Sequence, residues 1–323
     1  MPNYKVSILI PVYNSEKYIQ KCARTVFAQT LKEIEYVFVD DGSTDNGIDL
    51  LQQEIRKFPE RFSDISIIRH ERNRGISAAR QTAFDRATGE YILAMDSDDY
   101  IVPEMLEQLY NEALVSGADI VFCDFVSETE NKSIRKNFSF SPSKNKLIEV
   151  AIRGESALWN KLFRRNLLTS YNIKTLDGID HGDDLAVLVK LLFHAEKFSY
   201  LPVPFYHYIE SNCQSTTKAF KPKHIDDRIN LVNEVVEYLK KEEKTYQYEI
   251  LLMKALRKAK ILLLTNGEKQ YIGLYNEINP YIFKLKVTTY TRIILILSNI
   301  SIPSILKIYL WLLKKSRQIA SKF

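Results

Sequence analysis

Tyr91-Ile92-Leu93-Ala94-Met95-Asp96-Ser97-Asp98-Asp99 runs from an apolar segment of strand length straight into three carboxylates. Anions crowded at one strand end repel one another unless a cation neutralises them. Hard oxygen ligands of this kind suit Mg²⁺ or Mn²⁺, ions that keep coordination positions open for the phosphates of a substrate. A solvated acidic turn can have the same composition, so the motif has to be read with its surroundings.

Upstream, Val6–Ile10, Tyr36–Val39 and Ile65–Ile68 are further short runs rich in β-branched and aromatic residues. They are apolar at nearly every position, Ser7 and Ser66 apart, rather than alternating, which predicts strands covered on both faces, as in a parallel sheet. Helical faces fill the gaps. Tyr18, Ile19, Cys22, Val26 and Phe27 follow Asn14 or Ser15 as N-cap, and Ile76, Ala79, Ala83 and Ala87 lead to Gly89 as C-cap. This alternation predicts an α/β fold with an open, Rossmann-like, mostly parallel sheet flanked by helices, its ligands bound beyond the carboxyl ends of the strands. The polar residues agree. Pro11-Val12-Tyr13-Asn14, Asp40-Asp41-Gly42-Ser43 and the Asp96–Asp99 cluster all end strands on that one edge.

Further along, Asp119–Val126 reads as a strand and the polar stretch Ser127–Lys146 as a loop. After Thr217 only helical periodicity remains, over Ile225–Leu239 and Tyr246–Leu264. A boundary near Ser215–Lys223 divides the chain into residues 1–217, the α/β domain, and 218–323, a mainly α-helical C-terminal domain. Composition is that of an ordinary globular protein: 323 residues, 46% hydrophobic and 26% charged. A net charge of +5 is too small to make nucleic acid the main partner. Cys22, Cys123 and Cys213 lie far apart, so neither a disulfide framework nor a zinc site is expected. A strand begins almost at the N-terminus with no signal-peptide pattern before it, which leads us to expect a cytoplasmic protein. The apolar stretch Ile293–Leu313 is interrupted by Asn299, Pro303 and Lys307. It reads either as a pair of buried helices or as an interfacial helix, with Trp311, Lys314, Lys315 and Arg317 suited to a membrane surface; a spanning helix fits it least.

Two other segments carry chemistry. One residue of the Asp40-Asp41 pair can accept hydrogen bonds from a base or ribose while the other shapes the turn. Arg72-Asn73-Arg74-Gly75 runs into a helix start, a good place for negative or carbonyl oxygen. Arg80, inside that helix, can reach a ligand or can pair with Asp40 or Asp96. There is no GxGxxG at the first turn and no GxxxxGK[ST], which disfavours a nicotinamide dinucleotide and excludes a P-loop.

Taken in order, Ser7-Ile8-Leu9-Ile10-Pro11-Val12-Tyr13-Asn14, Val39-Asp40-Asp41-Gly42-Ser43-Thr44-Asp45, Asn73-Arg74-Gly75 through Arg80, and Asp96-Ser97-Asp98-Asp99 resemble the motifs of glycosyltransferase family 2. The resemblance is dense over roughly the first third of the chain and weaker to about Thr217. It implies a GT-A fold and an inverting enzyme that takes a sugar from a nucleoside-diphosphate donor, UDP by resemblance. The acceptor would be a hydroxyl of a glycan or a polyprenyl-linked glycan in cell-surface polysaccharide synthesis. Pro11, Tyr13 and Asp41 would then line the nucleoside pocket with Arg74 near the base. Asp96 would meet the ribose or sugar, Asp98 would ligate Mg²⁺ or Mn²⁺, and Asp99 would support it. His181-Gly182-Asp183-Asp184-Leu185 resembles the family's later acidic motif, with Asp184 as catalytic base and Asp183 as a shorter carboxylate where the family usually has Glu. A helix N-cap is the competing reading of this pair. Trp159-Asn160-Lys161-Leu162 resembles a segment near the acceptor, where Trp159 either stacks on a sugar or belongs to the core. His207 either approaches the metal or phosphates or is structural. Two other functions fit less well. A sugar nucleotidyltransferase would want a basic, Gly-rich loop after the first strand, which is missing. A non-catalytic nucleotide-sugar-binding protein would not need Asp98 and Asp183-Asp184.

Overall fold

The computed structural model describes residues 4–179, 182–210, 223–300 and 303–320, with side chains as far as 316. Two compact units divide the chain: Met1–Ala151 with Glu155–Phe220, and Ile152–Gly154 with Lys221–Phe323.

In the first unit strands and helices alternate: β1 Val6–Val12, α1 Ile19–Phe27, β2 Ile34–Asp40, α2 Gly47–Ile55, β3 Ile65–Arg69, α3 Ile76–Arg86 and β4 Tyr91–Ala94. Then follow β5 Tyr100–Ile101, α4 Met105–Ser116, β6 Ile120–Thr129, β7 Lys132–Lys136, α5 Lys144–Arg153, β8 Lys161–Arg164, α6 Arg165–Ser170, α7 Asp183–His194 and β9 Phe198–Ile209. The nine strands form one sheet in the order β3-β2-β1-β4-β8-β6-β9-β5, with β7 paired to β6. Every residue of β1 and β2 is buried, as continuous apolar runs require when helices cover both faces. Each such buried aliphatic side chain contributes about 1.5–3 kcal/mol of transfer free energy.

From β3 to β4 all pairings are parallel, which is the part that the periodicity predicts. Beyond β4 the sheet turns mixed. β8 runs antiparallel to both β4 and β6, while β9 is parallel to β6. The stretch expected to be a loop, Ser127–Lys146, instead holds β7 and the start of α5. All five residues of β7 are exposed, and a lysine-bearing edge strand of this kind lacks the apolar alternation that marks a half-buried one. Gly89 is not a helix cap either, since α3 closes at Ala87. Its role is close approach: a Cβ there would lie 2.6 Å from the Ser7 nitrogen of β1.

The second unit is helical, with α8 Lys223–Leu239, α9 Glu243–Leu264, α10 Lys269–Ile272, α11 Thr289–Asn299 and α12 Pro303–Ala320. α8 and α9 cover the two segments of helical periodicity. The stretch Ile293–Leu313 belongs to two helices, α11 and α12. Among the described residues no helix is long and apolar enough to cross a membrane. The expected domain boundary falls mostly within 211–222, outside the described residues.

Candidate active site

The carboxyl ends of β1, β2 and β4 share one edge of the sheet. Val12 pairs with Asp40, and the Met95 N–H donates to the Leu9 carbonyl, so all three strands expire together. Tyr13 leaves β1 half-exposed, while Pro11 is buried within it.

Asp40 and Asp41 both serve the fold. Asp40 is fully buried; its Oδ1 accepts the Ser43 N–H at 2.8 Å and its Oδ2 lies 3.1 Å from Arg69 Nε. Asp41 is buried as well and collects three donors. They are Nδ1 of His70 at 2.7 Å and the backbone N–H groups of Arg74 and Gly75, each at 2.9 Å. His70 is buried too, and its Nε2 sits 3.0 Å from Thr82 Oγ1 on α3. Asp41 therefore pins the loop that carries the exposed Arg74 against the end of β2. Gly42 makes the approach possible: its φ is +72°, and a Cβ would come within 2.7 Å of the Arg72 backbone. Sequence reasoning misses His70. Its place at the end of β3, directly before the basic loop, is the signal that could have found it.

Asp96, Asp98 and Asp99 converge so that one carboxylate oxygen from each lies within 4.8 Å of the others. Their environments differ. Asp99 is buried; Tyr206 Oη donates to its Oδ2 at 2.7 Å and the Ile209 N–H to its Oδ1 at 2.8 Å. Both oxygens are thus held by β9. Burial, together with the charges of Asp98 and Asp96, still pushes this carboxyl well above the usual range. Asp96 and Asp98 are the partly exposed members. Asp96 is raised as well, first by desolvation and then by Asp98, Asp184 and Asp183, against the opposing pull of Arg80.

Arg80 ties this cluster to α7. It is buried on α3, pairs with Asp183, and reaches Asp184 at 2.6 Å and Asp96 at 3.6 Å. The alternative partner, Asp40, is taken by Arg69. Asp183 and Asp184 open α7, where the helix dipole favours negative charge, but neither caps it: the N-cap is Gly182 and no side chain caps the helix. Burial pushes the Asp184 carboxyl up to about 6, and Asp183 adds to this. Arg80, Lys161 and the Leu158 N–H act in the other direction. His181, the first residue of this motif, lies outside the described residues.

The segment 158–161 braces the two halves of the site. Trp159 stacks on Tyr206 and Tyr208, with centroids 4.5 and 5.6 Å away, and takes the ring of Phe125 edge-on. Only 9% exposed, it belongs to the core and supports Tyr206, the residue that holds Asp99. Lys161 is buried with its ammonium on Ala157 O and Asn160 Oδ1, each at 2.6 Å, and desolvation pushes it down to about 7. His207 stacks on Tyr100 at 4.3 Å and bonds Glu128 through Nδ1 at 2.8 Å.

This edge therefore brings together an anionic cluster able to hold a divalent ion, a basic loop, and a carboxylate pair, Asp183 buried and Asp184 partly exposed, that one arginine joins to the cluster. The family model for glycosyl transferase family 2 matches residues 7–182, more than half of the chain.

The chain belongs to glycosyltransferase family 2.

Its curated relatives include the putative glycosyltransferase EpsH of Bacillus subtilis, 31% identical over 254 residues that span 75% of this chain and 71% of EpsH. Several other glycosyltransferase relatives are matched over less than two thirds of their own length. Among solved structures, TarS 1–349 of S. aureus in complex with UDP-GlcNAc is similar with a TM-score of 0.68 at 17% identity, over 97% of this chain and 92% of that one. The mannosyltransferase PcManGT of Pyrobaculum calidifontis, in complex with GDP-Man and Mn²⁺, gives 0.53 at 16% identity, over 92% and 86%. At such identities these neighbours establish the fold. This family 2 chain has the GT-A architecture, an open mixed sheet flanked by helices, followed by a helical region.

Proposed function

We propose that this glycosyltransferase is inverting and metal-dependent. It moves a hexosyl or N-acetylhexosaminyl group from a UDP-sugar to a hydroxyl of a glycan or polyprenyl-linked glycan in cell-surface polysaccharide synthesis, at the cytoplasmic side of the membrane. The observation that carries this reading is the bridge from Arg80 to Asp96 on one side and to Asp183 and Asp184 on the other. It supports a catalytic base and a diphosphate site acting on one bound donor. Residues 1–217 would carry donor binding and catalysis, with the helical part, 218–323, serving location or acceptor delivery.

In this reading Asp184 accepts the proton of the acceptor hydroxyl as its oxygen attacks the anomeric carbon, and the bond to the diphosphate breaks on the opposite face. A carboxylate raised to about 6 is basic enough to take that proton and still ionised at neutral pH. Arg80 holds Asp184 in place and balances the negative charge around it. Asp98, with Asp96 beside it and Asp99 orienting the turn, has the hard-oxygen donor set that fits Mg²⁺ or Mn²⁺, which when bound supplies positive charge to the leaving diphosphate. Tyr13, Pro11 and the Asp41–Arg74 loop would receive the nucleoside. The UDP-GlcNAc complex of TarS supports the choice of a uridine donor.

A thermal-shift panel of UDP-GlcNAc, UDP-glucose, UDP-galactose and GDP-mannose, with and without Mn²⁺, tests this. A donor present at 100 times its Kd stabilises the folded state by about 2.7 kcal/mol, a rise of roughly 5–10 °C in Tm. The largest rise is expected for a UDP-sugar with Mn²⁺. An unchanged Tm across the whole panel would sink the proposal.

A further inference from the structure

Helix α12 is apolar on two opposite sides. Leu306 and Leu310, one turn apart, are fully buried, and they pack close to Gly267, whose Cβ position lies 3.4 and 3.2 Å from their side chains. Ile305, Ile308, Trp311 and Leu312 are 47, 59, 54 and 51% exposed. At 3.6 residues per turn these four fall within an arc of about 120° centred opposite the Leu306–Leu310 face. A surface helix normally turns polar residues to that side. Here the charged residues are all cationic: Lys307 and Lys315 are exposed on the helix, and the Lys315 ammonium lies 5.1 Å from the Trp311 ring centroid. Glu277 is the last acidic residue of the chain, and eight basic residues follow it, so the rest of the protein is net acidic and the positive charge is gathered at this end.

We propose that the outer face of α12 is a docking surface for an anionic lipid bilayer, on which the helix lies parallel to the membrane plane. Aliphatic and indole side chains would enter the headgroup boundary while the lysines meet phosphate. Charge decides between lipid and a second copy of the chain. A copy of α12 laid on α12 would set Lys307, Lys314 and Lys315 against like charges, whereas anionic headgroups complement them. The biological purpose of this surface rests on the proposed membrane-borne acceptor, but docking itself needs neither donor nor metal.

Co-sedimentation of the full chain with phosphatidylcholine vesicles, with and without phosphatidylglycerol, tests the surface. Binding is expected to the mixed vesicles, weakening as salt rises. Lys314→Ala with Lys315→Ala should bind roughly thirtyfold more weakly, about fivefold for each charge. Ile308→Glu with Leu312→Glu should abolish binding while the thermal melt and UDP release from donor stay as in the wild type. Any of three results would overturn the proposal: a wild type that does not bind mixed vesicles, an Ile308→Glu/Leu312→Glu variant that binds as tightly as wild type, or a dimer in sedimentation velocity that this variant dissociates. Lost vesicle binding with intact UDP release defeats only the docking surface. The opposite pattern defeats only the transferase reading.

Discussion

Asp184→Asn is expected to lower kcat by roughly 10²–10⁴-fold, the range for losing a general base, while nucleotide-sugar affinity stays nearly unchanged. The substitution keeps the shape of the side chain and leaves an amide oxygen to accept the Leu158 N–H. Arg80 keeps Asp183 and Asp96 as partners, so no buried charge is orphaned and the variant should fold. The wild-type pH profile carries a second signature. A carboxyl raised to about 6 takes up its proton earlier on acidification than an ordinary aspartate. The ionised base is therefore complete at alkaline pH and is lost as pH falls through about 6, with kcat/KM dropping tenfold per unit below that point. Steady-state kinetics on both proteins, with donor affinity measured by calorimetry, separate the two effects. Full activity in Asp184→Asn would remove it from the role of base.

Asp98→Ala should cost about a thousandfold or more in kcat/KM and abolish the dependence of donor affinity on Mn²⁺. Its effect on the metal-free protein should run the other way. Asp98 is partly exposed, and its charge is one of those that raise Asp96 and Asp99. Deleting it relieves repulsion inside the cluster, so the Tm of the metal-free variant at neutral pH should equal or exceed that of the wild type. Loss of activity combined with a lowered metal-free Tm would mean that Asp98 is a structural residue.

Much of the fold is legible in the amino-acid sequence because the physical signals are local. Seven buried residues in a row in β1 and again in β2 are the direct imprint of a strand covered on both faces. The acidic motifs stand where β2 and β4 stop, and the basic loop follows the end of β3. What stays hidden depends on contacts between residues distant in sequence. Arg80 and Asp183 are 103 positions apart, and nothing local tells an arginine on α3 which carboxylates it will meet. The stacking of Trp159 on Tyr206 likewise becomes visible only once β8 and β9 flank β6, an antiparallel and parallel mixture that periodicity does not encode. Asp41 offers the sharpest lesson. Its residue type and strand-end position suggest ligand contact, yet the protein itself supplies three donors to that carboxylate. Any contact it makes with a nucleoside therefore comes in addition to holding the Arg74 loop. β7 escapes a pattern-based reading because its five exposed residues bury nothing.

The most direct test of a metal-held diphosphate is diffraction near the manganese absorption edge from crystals soaked with a UDP-sugar and Mn²⁺. An anomalous peak is expected beyond the end of β4, roughly 2.1 Å from an Asp98 oxygen and in contact with the donor diphosphate. A bound diphosphate with no peak there, or with Asp98 turned away from it, would contradict a metal-dependent transfer at this edge of the sheet.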